Sequence, residues 1–271
     1  MGSGHFLVFA LPILVAFRRA EEGLDERAAV KAVLAQNLYG LELDPRCTQI
    51  GAFAVALASW KRLGRPEALP RLNLACSGLA IGLGKAQFLE LAEKIADAEG
   101  WIGANDLLGT DRTPLGASAS AIHRGELDAL YSLFEQAPYL GSLIDSRRML
   151  ERTFGPLYTT GIDKLDATLE RLLNAGQATA ETREVAVAAQ GLAKAAELLG
   201  RDYTLIATNI PFLGRNKQHR VLVDYIDQHY PDHRQDLYGA FIARIMHFCA
   251  DGGSMAFVPP QNWYFTKSFS V

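Results

Sequence analysis

The stretch Tyr203–Leu213, YTLIATNIPFL, decides the fold class, because a short apolar run ends there in a polar turn. The run Tyr203–Ile206 predicts a buried strand. Asn209, Pro211 and Phe212 follow at the carboxyl end of that strand. An amide oxygen and a backbone carbonyl can accept hydrogen bonds from an amino group while an aromatic face stacks on a planar ring. The stretch therefore favours a nucleobase site, with an ordinary strand-to-loop turn as the alternative.

A glycine-rich loop opens the chain. Gly2, Ser3 and Gly4 precede an apolar segment, Phe6–Phe17, that predicts a buried helix kinked at Pro12. Glycine lets the backbone approach a ligand closely, and a helix that begins there directs free amide groups at the ligand. A lone Gly-x-Gly is also common in plain turns and tag remnants. The loop is thus a candidate cofactor site that needs support from the rest of the chain.

Acidic residues end a second predicted strand, which lies in the segment Leu38–Pro45. Asp44 and Pro45 suit the N-cap and the first position of a following helix. In nucleotide-binding sheets built from alternating strands and helices, an acid after the second strand takes a ribose hydroxyl. We assign that role to Glu42, with two solvated acids at a strand end as the alternative.

These three segments, in this order, resemble the class I S-adenosylmethionine-dependent DNA methyltransferases that modify adenine at its exocyclic nitrogen. The resemblance is greatest to the large single-chain enzymes of restriction-modification and phage-exclusion systems. Gly2–Phe6 match the end of the family's first cofactor loop, Gly40–Pro45 match its Gly-x-Asp/Glu-x-Asp-Pro segment, and Asn209–Phe212 match its catalytic Asn-Pro-Pro-Tyr/Phe loop. The resemblance continues through Leu213–Gln218 to Pro259–Trp263.

The resemblance implies a role for each residue of the catalytic loop. Asn209 and the carbonyl of Ile210 would accept hydrogen bonds from the adenine amino group, Pro211 would stiffen the loop, and Phe212 would stack on the extruded base. Alignment and electrostatics would then supply most of the rate acceleration. Ile210 departs from the usual proline, but its carbonyl belongs to the backbone and is retained.

The resemblance also implies which residues bind S-adenosylmethionine. Gly2, Ser3, Gly4 and Phe6 would belong to the first cofactor loop, and Glu42 would bind the ribose. The segment Leu72–Leu79 resembles the family's third strand, but it lacks the acid that usually follows that strand and meets the cofactor's adenine. Ser77 would take that place, or Asp106 from a later segment.

The implied fold is α/β, with an incomplete Rossmann-like class I methyltransferase sheet and a mainly helical insertion. Residues 1–84 would form the cofactor-binding half, 85–200 the insertion and 201–271 a truncated catalytic half. Helical periodicity supports the insertion in three segments: Phe88–Ala98, Glu126–Gln136 and Glu181–Leu199. The family's first strand would precede Gly2, so we expect the central strand and the target-recognition domain to be missing from this chain.

Composition limits the possible partners. With 49% hydrophobic and 21% charged residues the chain has the composition of a globular protein, and a net charge of −3 with a pI near 6.1 excludes a general polyanion binder. Arg215, Lys217 and Arg220 form one basic cluster beside the catalytic loop. They are candidate contacts to DNA phosphates, with a solvated helix start as the alternative.

Neither a membrane span nor a metal site is predicted. The apolar segment from Phe6 to Phe17 is shorter than the ~20 residues that cross a bilayer, and it lacks a preceding positive region. Cys47, Cys76 and Cys249 have no paired spacing, which argues against a metal site or disulfide framework and for a reducing cytoplasm.

The sequence thus predicts an adenine N6-methyltransferase that acts on double-stranded DNA. Two alternatives stay open. One is methylation of RNA or of a protein glutamine, because the catalytic loop recognises an amino or amide group without specifying DNA. The other is a non-catalytic remnant that binds the cofactor or a partner.

Overall fold

The computed structural model describes residues 1–79, 84–86, 88–90, 131–132, 134–148 and 180–258. Over these residues the fold is mixed α/β, mostly helical, with two small parallel sheets. The chain divides into two compact units. The first comprises Met1–Leu79, Ala137–Asp145 and Leu198–Val271, and the second comprises Ala80–Gln136 and Ser146–Glu197.

The first unit begins with three helices and two strands. In chain order they are α1 (His5–Glu22), α2 (Glu26–Gln36), β1 (Tyr39–Glu42), α3 (Pro45–Leu63) and β2 (Asn73–Cys76). Strands β1 and β2 pair in parallel, with Tyr39 opposite Asn73 and Glu42 opposite Cys76. The strands predicted within 38–45 and 72–79 are therefore confirmed.

Local signals set the ends of these helices. The Asp44 carboxylate caps α3 by accepting hydrogen bonds from the backbone N–H of Arg46, at 2.7 Å, and of Cys47, while Pro45 occupies the first helical turn. This cap was predicted and is confirmed. Helix α1 ends at Glu22 and is followed by the capping residue Gly23, whose φ of 68° is the left-handed conformation common at helix ends.

The core of this part packs α1 against α2 and α3. Leu7, Leu11 and Val15 of α1 are buried together with four residues of α2 and with Val55 of α3. The opposite side of α1 is exposed, although the whole segment 6–17 was predicted to be buried. That prediction is wrong for one face, because no element covers it in the part of the chain that the structure describes.

The remainder of the first unit carries the second sheet. Its elements are α4 (Ala137–Leu140), β3 (Tyr203–Asn209), α6 (Arg220–His229), α7 (Leu237–Phe248) and β4 (Cys249–Val258). Strands β3 and β4 pair in parallel, with Asn209 opposite Val258. Ile210, Tyr238, Ile242 and Ile245 form a core cluster beneath them.

One sequence prediction about this sheet needs correction. Strand β3 continues to Asn209 instead of ending at Ile206, and it is not fully buried, since the Leu205 side chain is exposed. Helix α7 ends at Phe248, and Gly252 and Gly253 lie inside β4, where the pairing register shifts and Gly252 has a φ of 75°.

The two sheets are separate ladders in the described residues, so a complete sheet is not formed there. The rings of Tyr39 and Tyr203, at the first residues of β1 and β3, meet edge to face with their centroids 5.5 Å apart. The sheets are thus neighbours at their amino ends without sharing a ladder.

The second unit is described in part. Helix α5 (Ala180–Gly200), which belongs to this unit up to Glu197, confirms the helix predicted over 181–199. The other two predicted helices of the insertion lie largely outside the described residues, as does Asp106. No helix in the described ranges combines the length and the apolar character needed to cross a membrane.

Candidate active site

The glycine loop and the end of β1 meet at the carboxylate of Glu42. Its Oε2 accepts a 2.6 Å hydrogen bond from the backbone N–H of Gly2, and its Oε1 accepts from the N–H of Leu43 at 2.9 Å and of Asp44 at 3.2 Å. The amino group of Met1 lies 3.4 Å from Oε2. The carboxylate predicted to bind a ribose is therefore fixed against the loop predicted to hold the cofactor.

The surroundings of Glu42 favour its charged form. Burial raises the pKa of this carboxyl, but the positive amino group of Met1 and the N–H donors of Asp44, Gly2 and Leu43 outweigh burial. The net result is a pKa below its ordinary value of 4.5. Glu42 is consequently an ionised acceptor at neutral pH.

Gly4 is required by the shape of the loop. Its φ is 89°, and a Cβ added there would lie 2.9 Å from the Cα of Gly51 in α3. Gly2 also has a positive φ, 59°, but a Cβ there would meet open space. The Ser3 hydroxyl lies 3.0 Å from Nδ1 of His5, and the Phe6 ring is half-exposed. Of the two glycines in this loop, Gly4 is therefore the one that permits the close packing of α1 on α3.

Ser77 lies beside Glu42, directly after β2. Its backbone N–H donates to the Glu42 carbonyl at 2.7 Å, and its buried hydroxyl lies 3.2 Å from the same carbonyl and 3.3 Å from the hydroxyl of Ser142. The structure therefore brings Ser77, Glu42 and the glycine loop together. The hydroxyl of Ser77 already has partners within the protein.

The predicted catalytic loop begins at the last residue of β3. Asn209, Pro211 and Phe212 are exposed, and the Phe212 ring retains 55% of its accessible surface. Ile210 between them is buried at 1% exposure against Tyr238 and its neighbours. A buried side chain thus holds the loop to the core while the amide and the ring on either side stay accessible.

The far side of the predicted catalytic loop is also fixed by hydrogen bonds. The carbonyl of Leu213 accepts from the backbone N–H of Leu237 at 3.2 Å and from Nε2 of Gln218 at 2.9 Å. No hydrogen bond between described residues joins this loop to the glycine loop. The two predicted parts of the site are therefore built on separate supports within the first unit.

The predicted DNA-contacting residues differ in their surroundings. Arg215 forms a bidentate pair with Asp227, with both N···O distances 2.7 Å, and this hydrogen bonding lowers the pKa of Asp227. Arg220 is 91% exposed and lies 3.6 Å from Asp224. Lys217 is exposed in a short 3-10 turn. Arg215 thus connects two local segments, whereas Lys217 and Arg220 present their charges to solvent.

Arg244 is a buried residue that the sequence did not reveal, and its partner Ser142 also contacts Ser77. Its guanidinium donates to the carbonyls of Ser142, Ile144 and Leu199, pairs with Asp145 at 3.1 Å, and lies 3.8 Å from the centroid of a phenylalanine ring in the same helix. These hydrogen-bond partners are 45 to 102 residues away in sequence. No local pattern around position 244 could have signalled them.

Comparison with known proteins adds independent findings. The family described as Eco57I restriction-modification methylase matches residues 36–270. The adenine-specific methyltransferase PglX of Lacticaseibacillus casei (strain Zhang) is 26% identical over 274 residues, and the adenine-specific methyltransferase BrxX of Escherichia coli O9:H4 (strain HS) is 27% identical over 277 residues. Both alignments cover the whole of this chain but only 20% and 21% of the relatives, so the chain spans about a fifth of their length.

Proposed function

The chain belongs to the Eco57I restriction-modification methylase family, and from that premise we propose that it transfers a methyl group from S-adenosylmethionine to the exocyclic amino group of adenine in double-stranded DNA. Its similarity to two adenine-specific methyltransferases supports the choice of base. The observation that carries the proposal is the catalytic loop, in which an accessible amide and an accessible aromatic ring flank a buried isoleucine.

The catalytic loop recognises the base in this proposal. Asn209 Oδ1 and the Ile210 carbonyl accept hydrogen bonds from the amino group, which orients the nitrogen for attack. Phe212 stacks on the extruded adenine and offsets part of the unstacking energy of a few kcal/mol. The buried side chain of Ile210 anchors the residue whose carbonyl would act as the second acceptor.

The cofactor side fits S-adenosylmethionine by the chemistry of its residues. Ionised Glu42 accepts hydrogen bonds from ribose hydroxyls, and Gly2, Ser3 and Gly4 allow close approach of the backbone, with Phe6 beside them. When bound, the cofactor supplies an electrophilic methyl group on a sulfonium. Ser77 holds the backbone of Glu42 and stays a proposed contact to the cofactor's adenine.

The DNA backbone would meet the protein beside the catalytic loop. We propose that Lys217 and Arg220 contact phosphates, because both are exposed there. Arg215 contributes mainly by holding its segment to Asp227. For the longer relatives, we propose that target recognition depends on the parts of those proteins that this chain does not match.

We also propose a cytoplasmic location, which a DNA substrate and the three free cysteines together support.

Transfer of tritiated methyl groups from S-adenosylmethionine tests the proposal. Unmethylated duplex DNA, RNA and protein are offered separately, and label is expected in adenine of the duplex. Label confined to RNA or to protein glutamine would replace DNA as the substrate. Absence of transfer to all three, with cofactor binding retained, would favour the non-catalytic alternative.

Asn209→Ala tests the role of the loop. Loss of one aligned acceptor should lower kcat by about 100- to 1,000-fold, while cofactor affinity measured by calorimetry stays unchanged. Asn216→Ala is the matched control, since Asn216 is also exposed and lies seven positions further on. Equal activity of the Asn209 and Asn216 variants would show that the loop is not catalytic.

A further inference from the structure

A short segment after α4 contacts the proposed cofactor side. This segment, Gly141–Asp145, follows α4 directly and is called the bridging segment. The hydroxyl of Ser142 lies 3.3 Å from the hydroxyl of Ser77. A Cβ added to Gly141, whose φ is 51°, would lie 2.8 Å from Cδ1 of Leu43 and 3.6 Å from the Ser77 hydroxyl. The bridging segment therefore packs tightly against the residues that follow β1 and β2.

The bridging segment is held from its other side by Arg244 of α7. Arg244 is 2% exposed, and its guanidinium donates to the carbonyls of Ser142 at 3.3 Å and of Ile144 at 2.8 Å. The guanidinium also pairs with Asp145 at 3.1 Å and donates to the Leu199 carbonyl at 2.6 Å. Because the donors of a guanidinium have a fixed planar arrangement, these bonds set the position of the bridging segment relative to α7.

Helix α7 also supports the proposed base side. Tyr238, Ile242 and Ile245 form a core cluster with Ile210 of the predicted catalytic loop. Residues spaced in this way share one face of a helix, and Arg244 lies on a different face. The same helix therefore contacts the predicted catalytic loop on one face and the bridging segment on another.

We propose that Arg244 is a positioning residue that, through the bridging segment, fixes the proposed cofactor side relative to the proposed base side. This inference rests on the proposed methyl transfer, in which the donor methyl group and the acceptor nitrogen must be aligned. An apolar side chain could fill the same space without the cost of burying a charge, so stability alone does not account for an arginine at this position. Alignment of two ligands that bind on different elements does account for it.

Arg244→Lys in the whole chain tests the proposal. Lysine keeps a positive charge beside Asp145, but its single nitrogen cannot reproduce the fixed set of bonds to several carbonyls. The kcat for methyl transfer to duplex DNA should fall about 10- to 100-fold, as expected for a small misplacement of the reacting groups. The dissociation constants for S-adenosylmethionine, from calorimetry, and for the duplex, from fluorescence anisotropy, should change less than about twofold, because the loss concerns only the transition state.

The variant should still fold, because the hydroxyls of Tyr225 and Tyr230 also hold the bridging segment by donating to the Leu143 carbonyl. Circular dichroism selects a temperature at which it is folded. Ser142→Ala is a second, milder variant that decides the question if Arg244→Lys does not fold. It removes the hydroxyl beside Ser77 and should lower kcat in the same direction. The double variant should lose less than the product of the two single losses, since both changes act on one connection.

Arg18→Lys is the matched control, because it makes the same chemical change at an arginine that also holds several partners. None of these partners belongs to either loop or to the bridging segment, and they are Glu22, Gln36 and Asn37. The control should leave kcat as in the unaltered chain. A loss of kcat equal to that of Arg244→Lys would show a general effect of weakened packing and would overturn the inference.

Hydrogen exchange tests the same connection without methyl transfer. The backbone N–H of Ser77 donates to the Glu42 carbonyl at 2.7 Å. In Arg244→Lys this amide should exchange at least about fivefold faster, because the segment packed against it is held less firmly. Arg18→Lys should leave the exchange of the Ser77 amide unchanged.

Unchanged kcat or unchanged exchange at Ser77 in folded Arg244→Lys would overturn the inference. The proposed function would still stand in that case, provided that Asn209→Ala abolishes transfer by the same preparation. An unaltered chain that transfers no methyl group would instead remove the proposed function. The exchange of the Ser77 amide would then still decide whether Arg244 connects the two sides.

Discussion

The two loops proposed to form the active site differ in how far their geometry is already fixed. Around the glycine loop, Glu42 accepts three backbone hydrogen bonds of 2.6 to 3.2 Å, and Gly4 packs closely on Gly51. In the catalytic loop, Asn209 and Phe212 are exposed and only Ile210 is buried. The proposed cofactor side is thus organised by the protein's own hydrogen bonds, whereas the proposed base side leaves an amide and a ring exposed.

This difference agrees with the two kinds of ligand proposed. A site whose acceptors are fixed beforehand loses little conformational entropy when a small cofactor binds. A base that leaves a duplex needs an accessible ring and acceptor, and the exposed Phe212 gains a stacking partner only when the base arrives. Changes on the cofactor side should therefore affect folding, and changes on the base side should affect substrate binding.

Gly4→Ala should give the largest effect on stability. The positive φ and the contact with Gly51 together should lower the free energy of unfolding by about 2–4 kcal/mol, as measured by chemical denaturation. Gly2→Ala is the control, because its φ is also positive but its surroundings are open, and about 1 kcal/mol is expected. Equal losses in both variants would show that the contact with α3 does not matter.

Phe212→Ala should weaken DNA binding without affecting folding. Loss of base stacking corresponds to about 1–3 kcal/mol, or roughly a 5- to 150-fold higher dissociation constant for a duplex with an unpaired target adenine, measured by fluorescence anisotropy. Phe212→Trp should retain binding because it keeps an aromatic face. Leu205→Ala is the control for an exposed apolar residue of β3, and a loss equal to that of Phe212→Ala would contradict stacking.

The elements that local signals specify were predictable from the sequence. Asp44 and Pro45 marked the start of α3, and short apolar runs marked β1, β2 and β3. Each of these signals acts through neighbouring residues, so no knowledge of the tertiary structure was needed. The structure also joins Glu42 to the glycine loop through the hydrogen bond from Gly2, whereas the cofactor roles assigned to both stay predictions.

Features that depend on distant partners were not predictable. Strand β3 extends to Asn209 because β4 pairs with it there, and Gly252 lies in a register shift of that ladder. The pair between Arg215 and Asp227 requires the fold of the segment between them. Burial of Arg244 depends on carbonyls up to 102 residues away, which periodicity within α7 cannot reveal.

Glu42→Gln should give a small effect that depends on pH and is confined to the cofactor side. Three backbone N–H groups donate hydrogen bonds to the Glu42 carboxylate. Replacing that charged acceptor by a neutral amide should lower the free energy of unfolding by roughly 1 kcal/mol at neutral pH. The folded-state pKa of Glu42 is below 4.5, so its stabilising effect is fully present above that value and is lost as the pH falls through the lower, folded-state pKa. Denaturation curves at several pH values measure this difference.

Between pH 5 and pH 7 the stability difference between the unaltered chain and Glu42→Gln should therefore stay constant, and it should shrink below about pH 4.5. Asn209→Ala is the control from the base side, since an amide does not titrate and its stability difference should not follow this curve. A difference that instead shrinks as the pH rises from 5 to 7 would mean a raised pKa at Glu42. The carboxyl would then be partly protonated at neutral pH, and the glycine loop would lose its fixed anionic acceptor.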